Sequence, residues 1–545
     1  MLFRLLGVGS FLFFKFIKIM RIRIISNLLL IVFLCFVFTK GESQTNILKR
    51  NPAEIKSSGF VMYSDFGAIG DGKTDDMEAI VAAHKFANKY KLKVQADKGF
   101  TYYISGKNRT AEIQTDTDFG TANFIIDDTD VKDITSNIFS IESTLTPLKP
   151  EGLSHLKRSQ EKIDITLPTS CLITVTDSDI KRYIRYGLNQ NNGSSQTDIF
   201  IADQNGNVDI NSPIIWDFDQ ITNIIALPID EKRLIITGGC FTTIANQAES
   251  KYTYYGRGIG IKRSNVLVDG VKHQIKGEVD HGAPYRGFFD ISGCSDVTIQ
   301  NTILTGHKTY RTINSAGKPV SMGSYDLNVN HALNVSFINC TQTNSIDDNT
   351  YWGILGSNYS KNLVYDNCTL SRFDAHMGVA NATIRNSTLG YMGVNAIGNG
   401  TFLIENSTIR GATLVNLRSD YGSTWLGNLI IRNCVFVPSG GRKVSASIIG
   451  GRYSGQHNFG YTCYMPERIT IENLRIDDSN HPDYYKGPAI FANFNSEMTG
   501  DSYVEKFPYI KTKEVILNNV TTTSGKALRI SDNLYMFKDV IVTNK

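Results

Sequence analysis

The sequence predicts an all-β protein: a single-stranded right-handed parallel β-helix with a capping helix near its amino end. Three observations carry that expectation. A strand phrase ending in asparagine returns along the second half of the chain, a glycine-rich turn and an amphipathic helix stand before the first coils, and the composition favours many short strands. Glycine is frequent (46) and proline scarce (13) in 545 residues, while Asn, Thr, Ser and Tyr recur in patterned runs, which suits strands joined by tight turns.

At the amino end, Arg21 and Arg23 precede an apolar run of 11 residues, Leu28 to Phe38, and then small polar residues. This is the layout of a cleaved secretory signal, assigned to residues 1–43, and the run is short for a membrane span. Cys35 follows Leu34, where a lipid-modified cysteine would want a small residue. A periplasmic or secreted protein without a membrane anchor is expected.

Residues 44–106 read as the cap and first coil. In FGAIGDGKTDDMEAIVAAHKFANKY, Gly67, Gly70 and Gly72 allow a tight irregular turn and Thr74 is placed to cap a helix over 74–90. Asp75, Asp76 and Glu78 suit its positive end, and Ile80, Ala83, Ala87 and Tyr90 mark one face. Such a helix closes the open end of a solenoid, whose strand edges are otherwise unpaired. Residues 107–230 read as irregular early coils with a β-rich insertion, with TANFIIDD, IDITLP, CLITVT, DIFIAD and PIIWDFD as strands and QNNGSSQTD and DQNGN as turns.

Residues 231–545 read as the β-helix with its groove. VTIQNTIL, VSFINCTQ, LVYDNCTL, ATIRNSTL, FLIENSTI, LIIRNCVF, ITIENLRI and VILNNVTT are each a period-2 strand followed by Asn. The asparagines, Asn301, Asn339, Asn367, Asn386, Asn406, Asn433, Asn473 and Asn519, are separated by 38, 28, 19, 20, 27, 40 and 46 residues. The shortest steps suggest a coil of about twenty residues with loops inserted elsewhere, and the asparagines are expected to form an internal ladder at a bend. Cys340, Cys368 and Cys434 each follow a ladder asparagine and read as small buried side chains. The charge is near balance, 56 basic against 52 acidic residues, with no dense basic stripe, which argues against a nucleic-acid partner.

In a solenoid, residues at one phase of neighbouring coils lie about 4.8 Å apart, so the offset from the ladder asparagine is a distance argument. Asp347 and Asp348 stand eight and nine residues after Asn339, His376 nine after Asn367 and Tyr391 five after Asn386. Arg418, Asp420, Tyr421 and Trp425 follow Asn406, and His307, Lys308, Tyr310 and Arg311 follow Asn301. One groove is expected to gather them. Arg372 and Asp374 flank His376 in SRFDAH, while the place of His281 and Arg286 in DHGAPYRGFF is left open.

The segment Phe60 to Gly99 resembles the opening of pectate-lyase-superfamily β-helices, the pectin-lyase-like fold shared by hydrolases, lyases, epimerases and non-catalytic proteins. Further on, Asp326 in GSYDLN, Asp347 and Asp348 in SIDDN, His376 in DAHMG and Arg418 in VNLRSDYG follow an order similar to polygalacturonase-type glycoside hydrolases. The resemblance implies that Asp326, Asp347 and Asp348 protonate the leaving oxygen and activate water, that His376 orients them, and that Arg418 holds a substrate carboxylate. The chain departs from that pattern: Tyr325 stands where the family has Thr, Ala375 and Met377 flank His376, and no Lys follows Arg418 at the family's place.

The departures leave a groove rich in His, Arg and Tyr, which suits β-elimination from a uronate. Arg418 or Arg372 would neutralise the carboxylate, His376 or Tyr421 remove the C5 proton, and Tyr391 or Tyr421 protonate the leaving group. Trp352 and Trp425 offer stacking faces, with His307 as a further substrate contact. The enzyme is then a polysaccharide lyase, or a dehydratase if water leaves a terminal uronate. The alternatives are a polygalacturonase-like hydrolase, whose carboxylates would stand roughly 6.5–9.5 Å apart, and a non-catalytic carbohydrate-binding β-helix. The expected partner is an acidic polysaccharide or oligosaccharide. No cofactor is required, since Asp347 and Asp348 could take Ca2+ but have no third acidic ligand close in sequence.

Overall fold

The computed structural model describes residues 50–185, 192–313, 317–422, 424–451, 462–505 and 510–545. The signal assigned to 1–43 lies outside them, as does part of the QNNGSSQTD turn. Alternation of apolar and polar residues buries every second side chain, and parallel pairing stacks the buried ones coil on coil. Val266, Val297, Val335, Leu363, Ala382, Phe402, Leu429, Ile469 and Val515 are successive register partners, and all are buried. Two residues further along the strands, Val268, Ile299, Phe337, Tyr365, Ile384, Ile404 and Ile431 form a second buried row. A second face pairs Phe139, Ile259, Phe289, Leu327 and Leu355.

The chain is a parallel β-helix. Each fully buried Val, Leu, Ile or Phe contributes about 1.5–3 kcal/mol, and because its neighbours sit in the adjacent coils, stability is cooperative along the axis.

The asparagine after each strand turns the corner. All eight have φ between 49° and 53°, the left-handed region that Asn tolerates better than most non-glycine residues. Their amides form a chain: Nδ2 of Asn339, Asn367, Asn406, Asn433, Asn473 and Asn519 donates to Oδ1 of the asparagine one coil back, at 2.7–3.3 Å. At one step the partner changes, and Asn386 donates to Asp366 at 2.9 Å. The expected internal position is corrected, because the ladder side chains are exposed on the outer surface. The corner points the asparagine outward and the following residue, such as Cys340, Cys368 or Cys434, inward, where each is buried and free. A second ladder escaped the sequence reading: Asn381 donates to Asn362 (3.3 Å), Asn362 to Asn334 (2.8 Å) and Asn334 to Asp296 (2.9 Å).

Among the described residues, two helices stand at the amino end. Helix α1, Pro52–Ser58, was not expected; Asn51 and Glu54 close a capping box around its first turn. Helix α2 spans Met77–Tyr90, three residues shorter than the expected 74–90. Thr74 does not cap it, since both its N–H and its hydroxyl bond Asp71, and Asp76 accepts instead from the N–H groups of Ile69 and Gly70. Helix α2 buries Met77, Ile80, Ala83, His84 and Ala87 over the end of the core, where His84 meets the Tyr63 hydroxyl at 2.9 Å. Tyr90, expected on the buried face, lies at the surface with the Lys56 ammonium 3.7 Å from its ring centre.

Within 107–230, Ala111–Ile113, Thr117–Asp127 and Phe139–Glu142 are coil strands in register with their neighbours. Beyond them, Cys171–Arg182, Ser194–Ala202 and Asn223–Pro228 make a separate antiparallel sheet. IDITLP and PIIWDFD are loops, not strands; their apolar residues Ile163, Ile165, Ile214 and Phe218 fill the core under this sheet. The insertion is tied to the β-helix by Lys361, whose Nζ lies 2.7 Å from Asp198 Oδ1 and donates to Pro213 O at 2.6 Å. Both charged side chains are buried. Among the described residues no helix is long and apolar enough to cross a membrane.

Candidate functional site

The outward positions of the second face carry polar residues and glycine. Register places Asp290, Asn328 and Gly356 in one row, and Asp374, Asn395, Asn416 and Gly450 in another. Asn328 donates to Asp290 at 2.7 Å and Asn416 to Asn395 at 2.8 Å, so these side chains hold one another. Glycine at 356 leaves room for Tyr325, since a Cβ there would stand 3.2 Å from three atoms of the phenol ring. Above the first row opens a cavity of about 370 Å³ lined by Tyr254, Arg286, Asp290, Tyr325, Asn358 and His376, among others.

His376 reaches it from the strand Thr369–Arg385, whose register slips between Leu370 and Arg372 and again between Ala375 and Val379. Such irregularities re-aim side chains, and these bracket the residues from Arg372 to Met377. His376 Nδ1 lies 2.9 Å from Asn358 Oδ1, which makes Nδ1 the protonated nitrogen and leaves the lone pair on Nε2. Burial, and then the nearby Arg418 charge, bring the imidazole down to about 3. The ring is therefore neutral at pH 7.

Beside it lies an ionic cluster. The buried Asp374 Oδ2 is 2.5 Å from Arg372 Nη2 and 2.9 Å from Arg418 Nη1. Arg418 also forks onto Asp420, with Nε at 3.1 Å from Oδ1 and Nη2 at 2.6 Å from Oδ2, and Arg185 of the insertion stands 3.0 Å from the same Oδ2. Burial opposes ionisation of Asp420, but the Arg418 and Arg185 guanidinia outweigh it and bring the carboxyl to about 2. Arg372 lies over the Trp352 ring, 5.1 Å from its centre. A further opening of about 360 Å³ is lined by Trp352, Arg372, Asn395, Asn416, Arg418 and Asp420.

His376, Arg372, Arg418 and Tyr421 are thus brought together, the Tyr421 ring standing edge-on to His376 with centres 5.3 Å apart. Trp352 joins them through Arg372. Asp347, Asp348 and Tyr391 line neither of these openings. Asp347 is gripped by Arg410, with Nη2 2.6 Å from Oδ2, and Asp348 accepts from the Thr350 N–H at 2.9 Å, while Tyr391 lies under the Arg442 guanidinium at 4.2 Å. The eight- and nine-residue offsets to Asp347 and Asp348 are counted through a loop, whereas that to His376 runs along a strand, so equal counts do not mean equal height.

Asp326 and His307 are fully buried. Asp326 lies 2.7 Å from His273 Nδ1, 3.4 Å from His307 Nε2, and accepts the Thr305 N–H at 2.9 Å. Burial opposes both charges, yet Asp326 and Glu278 raise the His307 imidazole to about 9, and the two imidazoles hold Asp326 well below the usual carboxylate range. Trp425 is 1% exposed and donates its indole N–H to Gly400 O at 3.1 Å; it is a core residue, without a free face for sugar.

Sequence reasoning missed Tyr254, Tyr325 and Asn358 and left Arg286 open. Arg286, with a side chain 45% exposed, lies 3.9 Å from Asp290 and is the cation among the described residues that line the cavity. In the sequence Tyr325 stands out only as a departure from the Thr of the family motif. Burial and the nearby phenol of Tyr325 push the Tyr254 hydroxyl above its ordinary value.

No family model matches the chain. Over 129 residues, 21% of this chain, it is 30% identical to a capsule KL64-specific depolymerase of Klebsiella phage P510, and the match spans 12% of that protein's length. Among solved structures, the tailspike gp61 of Pseudomonas phage phi297 is 12% identical with a TM-score of 0.48, over 85% of this chain and 80% of that one. The Gp54 tailspike of Acinetobacter baumannii bacteriophage AP22, solved with a capsular saccharide, is 11% identical with a TM-score of 0.44, over 87% of this chain and 77% of that one. The A-module of the mannuronan C-5 epimerase AlgE6 of Azotobacter vinelandii is 11% identical with a TM-score of 0.38, over 86% and 99%.

Proposed function

We propose that this chain is an exported enzyme that degrades a uronate-bearing polysaccharide by β-elimination in the His376 groove. The carrying observation is a neutral imidazole, oriented through Nδ1, on a cavity shared with two tyrosines and an exposed arginine. In this reading Arg286 pairs with the uronate carboxylate and acidifies C5–H. His376 Nε2 takes the proton, and Tyr325 or Tyr254 supplies one to the departing oxygen. Arg418 and Arg372 already serve Asp374 and Asp420, so they hold the floor that carries His376.

Hydrolysis is less well served. Asp290 is the one carboxylate among the described residues lining this cavity, and a glycosidase needs two across the bond. The local similarity to a capsule depolymerase supports a polysaccharide substrate, and the arginine supports an acidic one. The test is incubation with polygalacturonate, alginate and glycosaminoglycan oligosaccharides while following ultraviolet absorbance and reducing ends together. Absorbance rising in step with reducing ends is expected; reducing ends without absorbance mean hydrolysis, and neither product means a binding protein.

A further inference from the structure

A second cavity, of about 420 Å³, lies where the insertion meets the β-helix, within the size range of small-ligand pockets. Its walls are Arg158, Arg182 and Trp216 from the insertion, with Tyr183 beside them, and Leu426 and Tyr464 from the coils. We infer that it is a separate binding site for an anionic sugar residue, which retains the polysaccharide outside the His376 groove. The inference shares the acidic-glycan substrate of the proposed function but not its chemistry.

The insertion builds the site around Gln196, which is fully buried. Its Oε1 accepts from Arg182 Nε (3.0 Å) and Nη2 (2.7 Å), and its Nε2 donates to Asp217 O at 2.9 Å. The Arg182 guanidinium is thereby fixed 4.3 Å from the centre of the Trp216 ring, a pre-set cation–π pair. Arg158 is exposed, and its backbone N–H is held by Asp217 Oδ1 at 2.9 Å. Among the described residues that line the cavity are two arginines and one carboxylate, Asp217, a lining that favours an anion, while Trp216, Tyr183 and Tyr464 offer apolar walls to a sugar ring.

Tyr183 divides this cavity from the groove. Its ring lies against Tyr421, with centres 6.5 Å apart, and Tyr421 in turn faces His376. Tyr183 has φ 55°, uncommon for a bulky residue, and it is seated over Gly378, where a Cβ would stand 2.4 Å from the phenol oxygen. The partition is thus built from fitted parts of both the insertion and the β-helix.

Affinity electrophoresis in gels containing polygalacturonate or alginate tests the site without requiring turnover. Arg158→Gln and Trp216→Ala should each weaken retardation roughly fivefold, about 1 kcal/mol. Arg158 is exposed, so Arg158→Gln keeps the test valid if Trp216→Ala folds poorly. If the parent cleaves nothing but is retarded and Arg158→Gln weakens that retardation, elimination fails and the second site stands. Retardation equal to the parent in Arg158→Gln and in folded Trp216→Ala overturns the site, as does a parent that neither polymer retards.

Discussion

Replacing Asn358 by Asp would put a carboxylate where an amide oxygen now accepts from His376 Nδ1 at 2.9 Å. The parent imidazole, brought down to about 3 by burial and Arg418, stays deprotonated at any ordinary assay pH, so kcat/KM should be level from pH 5 to pH 8 on its acid side. A negative charge at that distance favours the imidazolium by about 6 kcal/mol at an effective dielectric constant of 20. After desolvation of the new carboxylate, a rise of about 1–3 pH units is left. The acid limb of Asn358→Asp should therefore appear at roughly pH 4–6. The sign follows from the role: a base works only when deprotonated, so raising its pKa removes activity from the acid side. The assay is initial elimination rate by ultraviolet absorbance across pH 3.5–8, with His376→Ala as reference and an expected loss of about 10²–10⁴-fold. An Asn358→Asp profile that superimposes on the parent, together with an active His376→Ala, would refute the assignment of His376 as base.

Other perturbations test the scaffold. Lys361→Met leaves the buried Asp198 unpaired and should destabilise the protein by about 3–5 kcal/mol, read as a lower Tm with faster hydrogen exchange in 171–228; adding Asp198→Leu should restore much of the loss. Asn433→Ala places a β-carbon residue at φ 53° and cuts two ladder bonds, so urea unfolding should show a loss of about 2 kcal/mol, with Asn433→Gly losing about half as much. His84 and His376 are both brought to about 3 in the folded chain, burial being the first cause in each, so unfolding takes up protons below pH 6.5 and stability falls as pH drops from 6.5 toward 3. His307, raised to about 9 against burial by Asp326 and Glu278, contributes stability that is complete below pH 6.5 and lost as pH rises through 9. Thermal melts should accordingly peak near neutral pH, and a Tm that climbs steadily toward pH 4 would contradict both sets of environments.

The fold was legible because it repeats. A period-2 phrase ending in Asn states both which side chains face inward and where the chain turns, and it did so at every rung from Asn301 to Asn519. The ladder's exposure was not legible, since the phrase does not say which way a left-handed corner points its amide. The site was readable where it follows the strands: Arg372 is fixed by register, His376 lies on the same strand, and Arg418 follows directly on the strand Val415–Leu417. It failed where the count crossed loops, as at Asp347 and Asp348, and where a residue lies just before a strand and is drawn into the core, as Asp326 is. Arg286 and Arg185 come from segments outside the repeat, and only folding brings them to the groove and to Asp420.

The mass of the product at its non-reducing end tests the central claim most directly. Elimination predicts an unsaturated uronate, lighter by one water than the hydrolytic product, from the parent and not from His376→Ala. A saturated end carrying the elements of water, produced equally by both, would contradict the account.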